Sequence, residues 1–146
     1  APHLLDADLR LCGEAGARWD VPVYVAGQLA GTEGYCEAIR SGLHAALSVA
    51  ARLSGVPSPE LPADTAFGAL LAYATDPATT GYQPMHVNFG IMRPLEVRIR
   101  NKRDRYRAYA ERGQAALSSY VEALRRAGLL EGEPAPASEE APHDAE

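Results

Sequence analysis

The stretch Val23-Tyr-Val-Ala-Gly-Gln-Leu-Ala-Gly-Thr-Glu-Gly-Tyr-Cys-Glu-Ala38 decides how this chain is read. Val21, Val23 and Val25 alternate with Tyr24, so Trp19–Ala26 is expected to be a short buried strand. Pro22 has no N–H and belongs at a strand start or edge. Three glycines at Gly27, Gly31 and Gly34 permit a sharp turn, and a helix is expected to begin at Tyr35. A strand, glycine turn and helix start present backbone amides and the positive end of a helix dipole to whatever lies above them, which suits an anion or an electron-rich ring. The spacing Gly27-x-x-x-Gly31-x-x-Gly34 differs from the G-x-G-x-x-G dinucleotide fingerprint, and a tight connection with nothing bound fits it equally well. A strand this early, with none before it to pair with, implies further polypeptide upstream.

Tyr35–Ser54 is expected to be a helix. Ile39, Leu43, Ala46, Leu47, Ala50 and Leu53 recur at three- and four-residue spacing, and Gly55 suits the cap. Gly42 and the alanines thin one face, so the helix is expected to be largely buried against a sheet or another backbone. Asp64 or Thr65 can cap a second helix with Phe67, Leu70, Leu71 and Ala74 inward. Asp76–Leu95 has no period and holds Pro77, Gly81, Pro84, Gly90 and Pro94. Its Tyr82, Met85, Val87, Phe89, Ile91 and Met92 are too apolar for a loose linker, so it is expected to lie pressed against a surface. Asn101–Gly128 is expected to be a long helix with Tyr106, Ala110, Gly113, Leu117, Val121 and Leu124 along its apolar stripe. Leu4, Leu5, Leu9 and Leu11 are expected to pack locally.

The net charge of −5 hides a segregation. The tail Glu131–Glu146 holds six acids and no base; without them 14 basic residues face 13 acidic ones. Within Arg93–Arg107 seven basic residues stand against Glu96 and Asp104, a local excess of five. Arg98, Arg100, Lys102, Arg103 and Arg105, interleaved with Tyr106 and Tyr109, are candidate RNA contacts. A solvated helix face balanced by Asp104 and Glu111 explains the run equally simply. Cys36 at a helix start suits a reactive thiol or a small packed residue. Cys12 and Cys36 give no disulfide framework. His3, His44, His86 and His143 form no zinc motif, so no metal and no catalytic residue is assigned. No apolar run is long enough to span a bilayer, no basic-then-apolar leader is visible and the cysteines suit a reducing compartment, so a cytoplasmic protein is expected.

Four stretches occur in order: Ala26-Gly-Gln-Leu-Ala-Gly-Thr-Glu-Gly-Tyr35, Ser41-Gly-Leu43, Asp64-Thr-Ala-Phe-Gly-Ala-Leu-Leu71 and Gln83-Pro-Met-His-Val-Asn-Phe-Gly90. Together they resemble the C-terminal part of the folate- and FAD-dependent tRNA (uracil-5-)-methyltransferases, TrmFO, relatives of the GidA flavoproteins. The resemblance spans about residues 3–128. It implies an α/β fold in which this piece is the C-terminal part of a Rossmann-like FAD-binding domain, mostly helical with one or a few short strands. Residues 1–95 would hold the strand, glycine turn, helices and apolar segment, 96–129 a basic C-terminal helix, and 130–146 a disordered acidic tail. The implied activity is C5 methylation of the T-loop uridine of tRNA, with FAD, methylenetetrahydrofolate as methylene donor, and NADPH or NADH as reductant. By the same resemblance Gly27, Gln28, Gly31, Glu33, Gly34 and Tyr35 are FAD-side residues, and Gln83–Leu95 would pack toward the flavin or folate. His86 and Arg93 stand where asparagine and proline are expected. The implied partners are tRNA and the N-terminal portion of the same protein, without which the piece is expected to be inactive. A GidA-like tRNA-modifying flavoprotein, or a free-standing helical module that binds RNA or protein, is the alternative.

Overall fold

A computed structural model describes residues 4–12 and 20–131. Three helices dominate it: α1 (Tyr35–Ser54), α2 (Ala66–Thr75) and α3 (Lys102–Arg126), with a short 3₁₀ turn at Gly27–Ala30. Each helix end has a local cause. Gly31, Gly34 and Gly55 adopt positive φ around α1, and Gly55 closes it by donating to Ala51 and Arg52 carbonyls. The Thr65 hydroxyl accepts the Gly68 amide to start α2, and the Asn101 side chain accepts the Arg103 and Asp104 amides to start α3.

The expected strand does not form among the described residues. Residues 20–26 run extended, with Leu11 N–H donating to Val23 O and Val25 N–H to Leu9 O, but only isolated bridges result. Val21 and Val23 are exposed, so the segment is not buried either; Trp19 lies outside the described residues. A strand needs a ladder on at least one side, and residues 9–11 supply only a few bonds of one.

The core joins Leu5 and Leu9 of the N-terminal segment, Ala30, Ala45 and Leu47, Leu61, the inner face of α2 (Phe67, Leu70, Leu71), and Tyr120 and Leu124 of α3. The inward face of α2 follows its periodicity. On α3 the buried pair is Tyr120 and Leu124, one turn apart, whereas Tyr106, Ala110 and Leu117 of the expected stripe are exposed. Gly113 lets α3 approach the loop before α2, its α-carbon face lying beside the Asp64 carbonyl.

The orientation of α1 departs from the expectation in part: of the expected stripe Leu47 is buried and Ala50 half-buried, and the rest faces outward. Its buried residues are Glu37, Ser41, His44, Ala45, Leu47, Ser48 and Ala51. Ile39, Leu43 and Leu53 are 74%, 46% and 83% exposed, and Ala46 is exposed as well. The polar inward side chains are hydrogen-bonded, His44 Nδ1 excepted, which is buried without a partner. Ser41 Oγ accepts the Gly27 amide at 2.8 Å and donates to Ala38 O at 2.9 Å. Thr32 Oγ1 donates to Gly27 O at 2.9 Å. His44 Nε2 donates to Ala7 O at 2.8 Å, and Ser48 Oγ donates to His44 O at 3.0 Å. These bonds hold the glycine turn and the N-terminal segment on α1, while most of its apolar stripe, with Leu29 and Tyr35, faces outward.

Residues 76–100 form an extended strap with no helix or strand, as its prolines dictate. It is pressed against this chain's own elements. Met85 bridges Thr32, with Glu33 N–H donating to Met85 O at 3.0 Å, and the Tyr82 hydroxyl donates to Gly31 O at 2.7 Å. Phe89 stacks on Tyr106 at 4.3 Å between ring centres and lies 5.2 Å from Tyr109. The Arg112 guanidinium donates to the Arg93 and Pro94 carbonyls at 2.7 and 3.1 Å and sits 3.4 Å from Asp64 Oδ1, while Arg93 pairs with Asp64 at 2.9 Å.

Candidate functional site

The six expected FAD-side residues surround the turn into α1, yet they differ in what they offer. Gly31 is buried and its amide donates to Gln28 O; the amides of Gly27, Thr32 and Glu33 are likewise bonded within the chain, to Ser41 Oγ, Gly27 O and Met85 O. The turn between Gly27 and Glu33 is therefore a self-satisfied scaffold rather than an open amide cradle. The start of α1 has no side-chain cap, although Glu37 and His86 close on its N-cap residue. Its N-cap is Gly34 (φ 98°), which has no side chain to cap the first-turn amides. Gln28 and Glu33 meet on the surface, Nε2 donating to Oε2 at 2.8 Å, and Tyr35 and Leu29 are 92% and 83% exposed. A flat ring with an electron-rich carbonyl can lie against this surface, with the helix start beneath it. The residues present fit one wall of such a site.

Behind the wall sits a polar latch that the sequence spacing did not reveal. Glu37 is buried, and its Oε1 accepts the Val87 amide at 3.1 Å with His86 Nδ1 at 3.7 Å. Gly34 is tightly enclosed by the same groups: a Cβ there would lie 2.6 Å from Glu37 Oε2 and 2.7 Å from His86 Nδ1. The latch ties the strap to the N-terminal end of α1. Glu33 and Glu37 thus do not act as a pair; one is on the surface with Gln28, the other inside with Val87. The only sequence signal for the latch is Glu37 lying one helical turn before Ser41 on what proves to be the buried face.

The Val87 hydrogen bond, opposed by burial and assisted by His86, holds the Glu37 carboxyl below its ordinary value of 4.5. A depressed carboxyl pKa contributes stability above the unfolded value, and that contribution is lost as pH falls through the folded one. Stability is therefore expected to drop as pH is lowered below about 4.5. Glu37→Gln should cost about 1 kcal/mol at neutral pH and flatten that acid limb. Thermal melts across pH check it; an unaltered acid limb in the variant contradicts the latch.

Cys36, Glu37, Arg40, Phe67, Val87 and Leu117 line an open groove of about 370 Å³ next to the helix start. It continues past Ala66 toward Phe89, Met92 and Tyr109. Among the described residues no group of histidines, cysteines and carboxylates could hold a metal, and no helix is long and apolar enough to cross a membrane.

The family model of glucose inhibited division protein A matches residues 17–57, which contain the glycine turn and α1. A methylenetetrahydrofolate–tRNA-(uracil-5-)-methyltransferase TrmFO from Pelobacter propionicus is 39% identical over 135 residues, covering 92% of this chain. Over most of its length the chain is similar to part of TrmFO. The TrmFO proteins of Ruegeria pomeroyi and Moorella thermoacetica are 40% and 42% identical over 83% and 77% of the chain. The chain spans about a quarter of the length of these relatives, 28%, 26% and 24% respectively. The match to TrmFO therefore extends well beyond the glycine turn and takes in α2 and the strap.

Proposed function

We propose that this chain forms one wall of the FAD site of a TrmFO-type enzyme that methylates the T-loop uridine of tRNA at C5. The observation that carries the proposal is the outward-facing apolar stripe of α1, in a chain similar to about a quarter of TrmFO. A soluble helix normally buries its apolar face. Here Tyr35, Ile39 and Leu43, aligned at four-residue spacing beside Leu29, lie outside while serines and a histidine lie inside. The remaining polypeptide of the enzyme covers that stripe and supplies the opposite wall of the cofactor site and the catalytic groups. The whole is a Rossmann-like α/β domain, with residues 1–95 carrying the wall, 96–129 a basic helix and 130–146 an acidic extension.

In that setting Gly34, Tyr35, Gln28 and Glu33 would be the residues that hold the flavin side of FAD. Gly27 and Gly31 act by shaping the turn. Reduced FAD, recharged by NADPH or NADH, supplies electrons, and methylenetetrahydrofolate the one-carbon unit. The strap, held by Glu37 and Phe89, would border the flavin or the folate. The assembled enzyme works in the cytoplasm, and the chain alone holds no flavin and transfers no methyl group. The test joins the chain to the part of a TrmFO relative it does not match and supplies an unmodified tRNA transcript, methylenetetrahydrofolate and NADPH. Formation of 5-methyluridine is expected; flavin-loaded protein that leaves uridine unmodified contradicts the substrate assignment. A different modified uridine points to the GidA-like alternative.

A further inference from the structure

We infer that residues 98–107, at the start of α3 and just before it, are an RNA-gripping surface separate from the flavin wall. The inference deepens the tRNA part of the proposal above and rests on it for the choice of RNA, but its test needs no flavin. Arg98, Arg100, Lys102, Arg103 and Arg107 are exposed and Arg105 half-buried. Among the described residues Arg10, Arg93 and Arg112 pair with aspartates, whereas none of these six cations forms an ion pair. Three of them, Lys102, Arg103 and Arg105, stand in the first turn or so of α3, with Asp104 the sole acid there. Cations are misplaced at that end, each opposing the helix dipole by about 0.3–1 kcal/mol. A merely solvated face would hold such charges elsewhere on the helix; an arrangement that works against the helix suits an external polyanion.

The surface also has a stiff aromatic element. Tyr106 is locked against Phe89, and the Lys102 ammonium and Arg105 guanidinium lie 5.5 and 5.8 Å from its ring centre. Phosphate-binding cations around a half-exposed aromatic stack match RNA with unpaired bases better than a smooth duplex. The Phe89–Tyr106 stack therefore fixes the strap and presents the cations together.

The experiment measures binding of the 146-residue chain to an unmodified tRNA transcript and to a DNA duplex of equal length, across a salt series. About five phosphate contacts predict a log–log salt slope near −4, a loss of a few hundredfold between 50 and 200 mM salt. A variant with Arg98, Arg100, Arg103 and Arg107 all changed to Ala keeps α3, because alanine favours helix and all four side chains are exposed. It is expected to bind at least tenfold more weakly with a slope reduced by about three, its circular dichroism unaltered. Equal binding of the DNA duplex or unchanged affinity in the fourfold variant overturns the assignment.

Discussion

Ile39→Glu is expected to leave the chain by itself within about 0.5 kcal/mol of its original stability and to abolish flavin retention once the chain is joined to the rest of a TrmFO-type protein. The two halves of the expectation have one cause. Ile39 is 74% exposed on the outer face of α1, so in the isolated chain its replacement removes little packing and places a good helix former in water. In the joined protein, on the function proposed above, the same position lies beneath covering polypeptide. A charge buried there without a partner costs about 3–5 kcal/mol, a hundred- to several-thousandfold in the equilibrium that seats the wall. Chemical denaturation of the chain and flavin absorbance of the joined protein read the two halves. Equal flavin content with isoleucine or glutamate at this position would mean the stripe is simply a surface.

Gly68→Ala is the substitution expected to damage the chain's own fold most, by about 2–4 kcal/mol. A Cβ at Gly68 would lie 2.0 Å from the Pro62 carbonyl oxygen and 2.7 Å from Thr65 Oγ1. Both are fixed. Pro62 O accepts the Thr65 amide and hydroxyl, and Thr65 Oγ1 accepts the Gly68 amide that starts α2. The methyl group must break that cap or push α2 from Leu61 and Tyr120 in the core. Gly42→Ala on α1 is the matched control. Nothing lies within 4 Å of a Cβ there, and helix propensity alone favours the change by about 1 kcal/mol. Melting both variants decides the matter; a Gly68→Ala chain as stable as its parent contradicts the close approach.

How far the sequence foretold this molecule follows from what periodicity contains. α1 and α2 were legible because Gly34, Gly55 and Thr65 mark their ends by local conformation, which needs no tertiary information. The inward face of α2 was legible too, since its apolar residues find their partners within this chain. The face of α1 was not. Periodicity tells which side is apolar but not whether its partner is present, and here Ser41, His44 and Ser48 turn inward because the glycine turn and residues 7–8 offer them hydrogen bonds. The strand failed for the same reason: Val21 and Val23 read as buried, and what would bury them is not among the described residues. On α3 the stripe was displaced because Phe89 and the strap occupy the groove near Tyr106, leaving only Tyr120 and Leu124 to meet the core. Of the site, the turn and Tyr35 were visible as a motif, but the Glu37–Val87 latch joins residues fifty positions apart and has no local signature.

The most direct test purifies the tagged chain after co-expression with the unmatched three quarters of a TrmFO relative and measures what comes with it. The polypeptide and bound flavin are expected to co-purify with the original chain and to be lost together with Ile39→Glu. A chain that binds flavin alone, or that ignores the co-expressed polypeptide while remaining folded and monomeric, would contradict the claim that α1 presents an internal face of a larger flavoprotein.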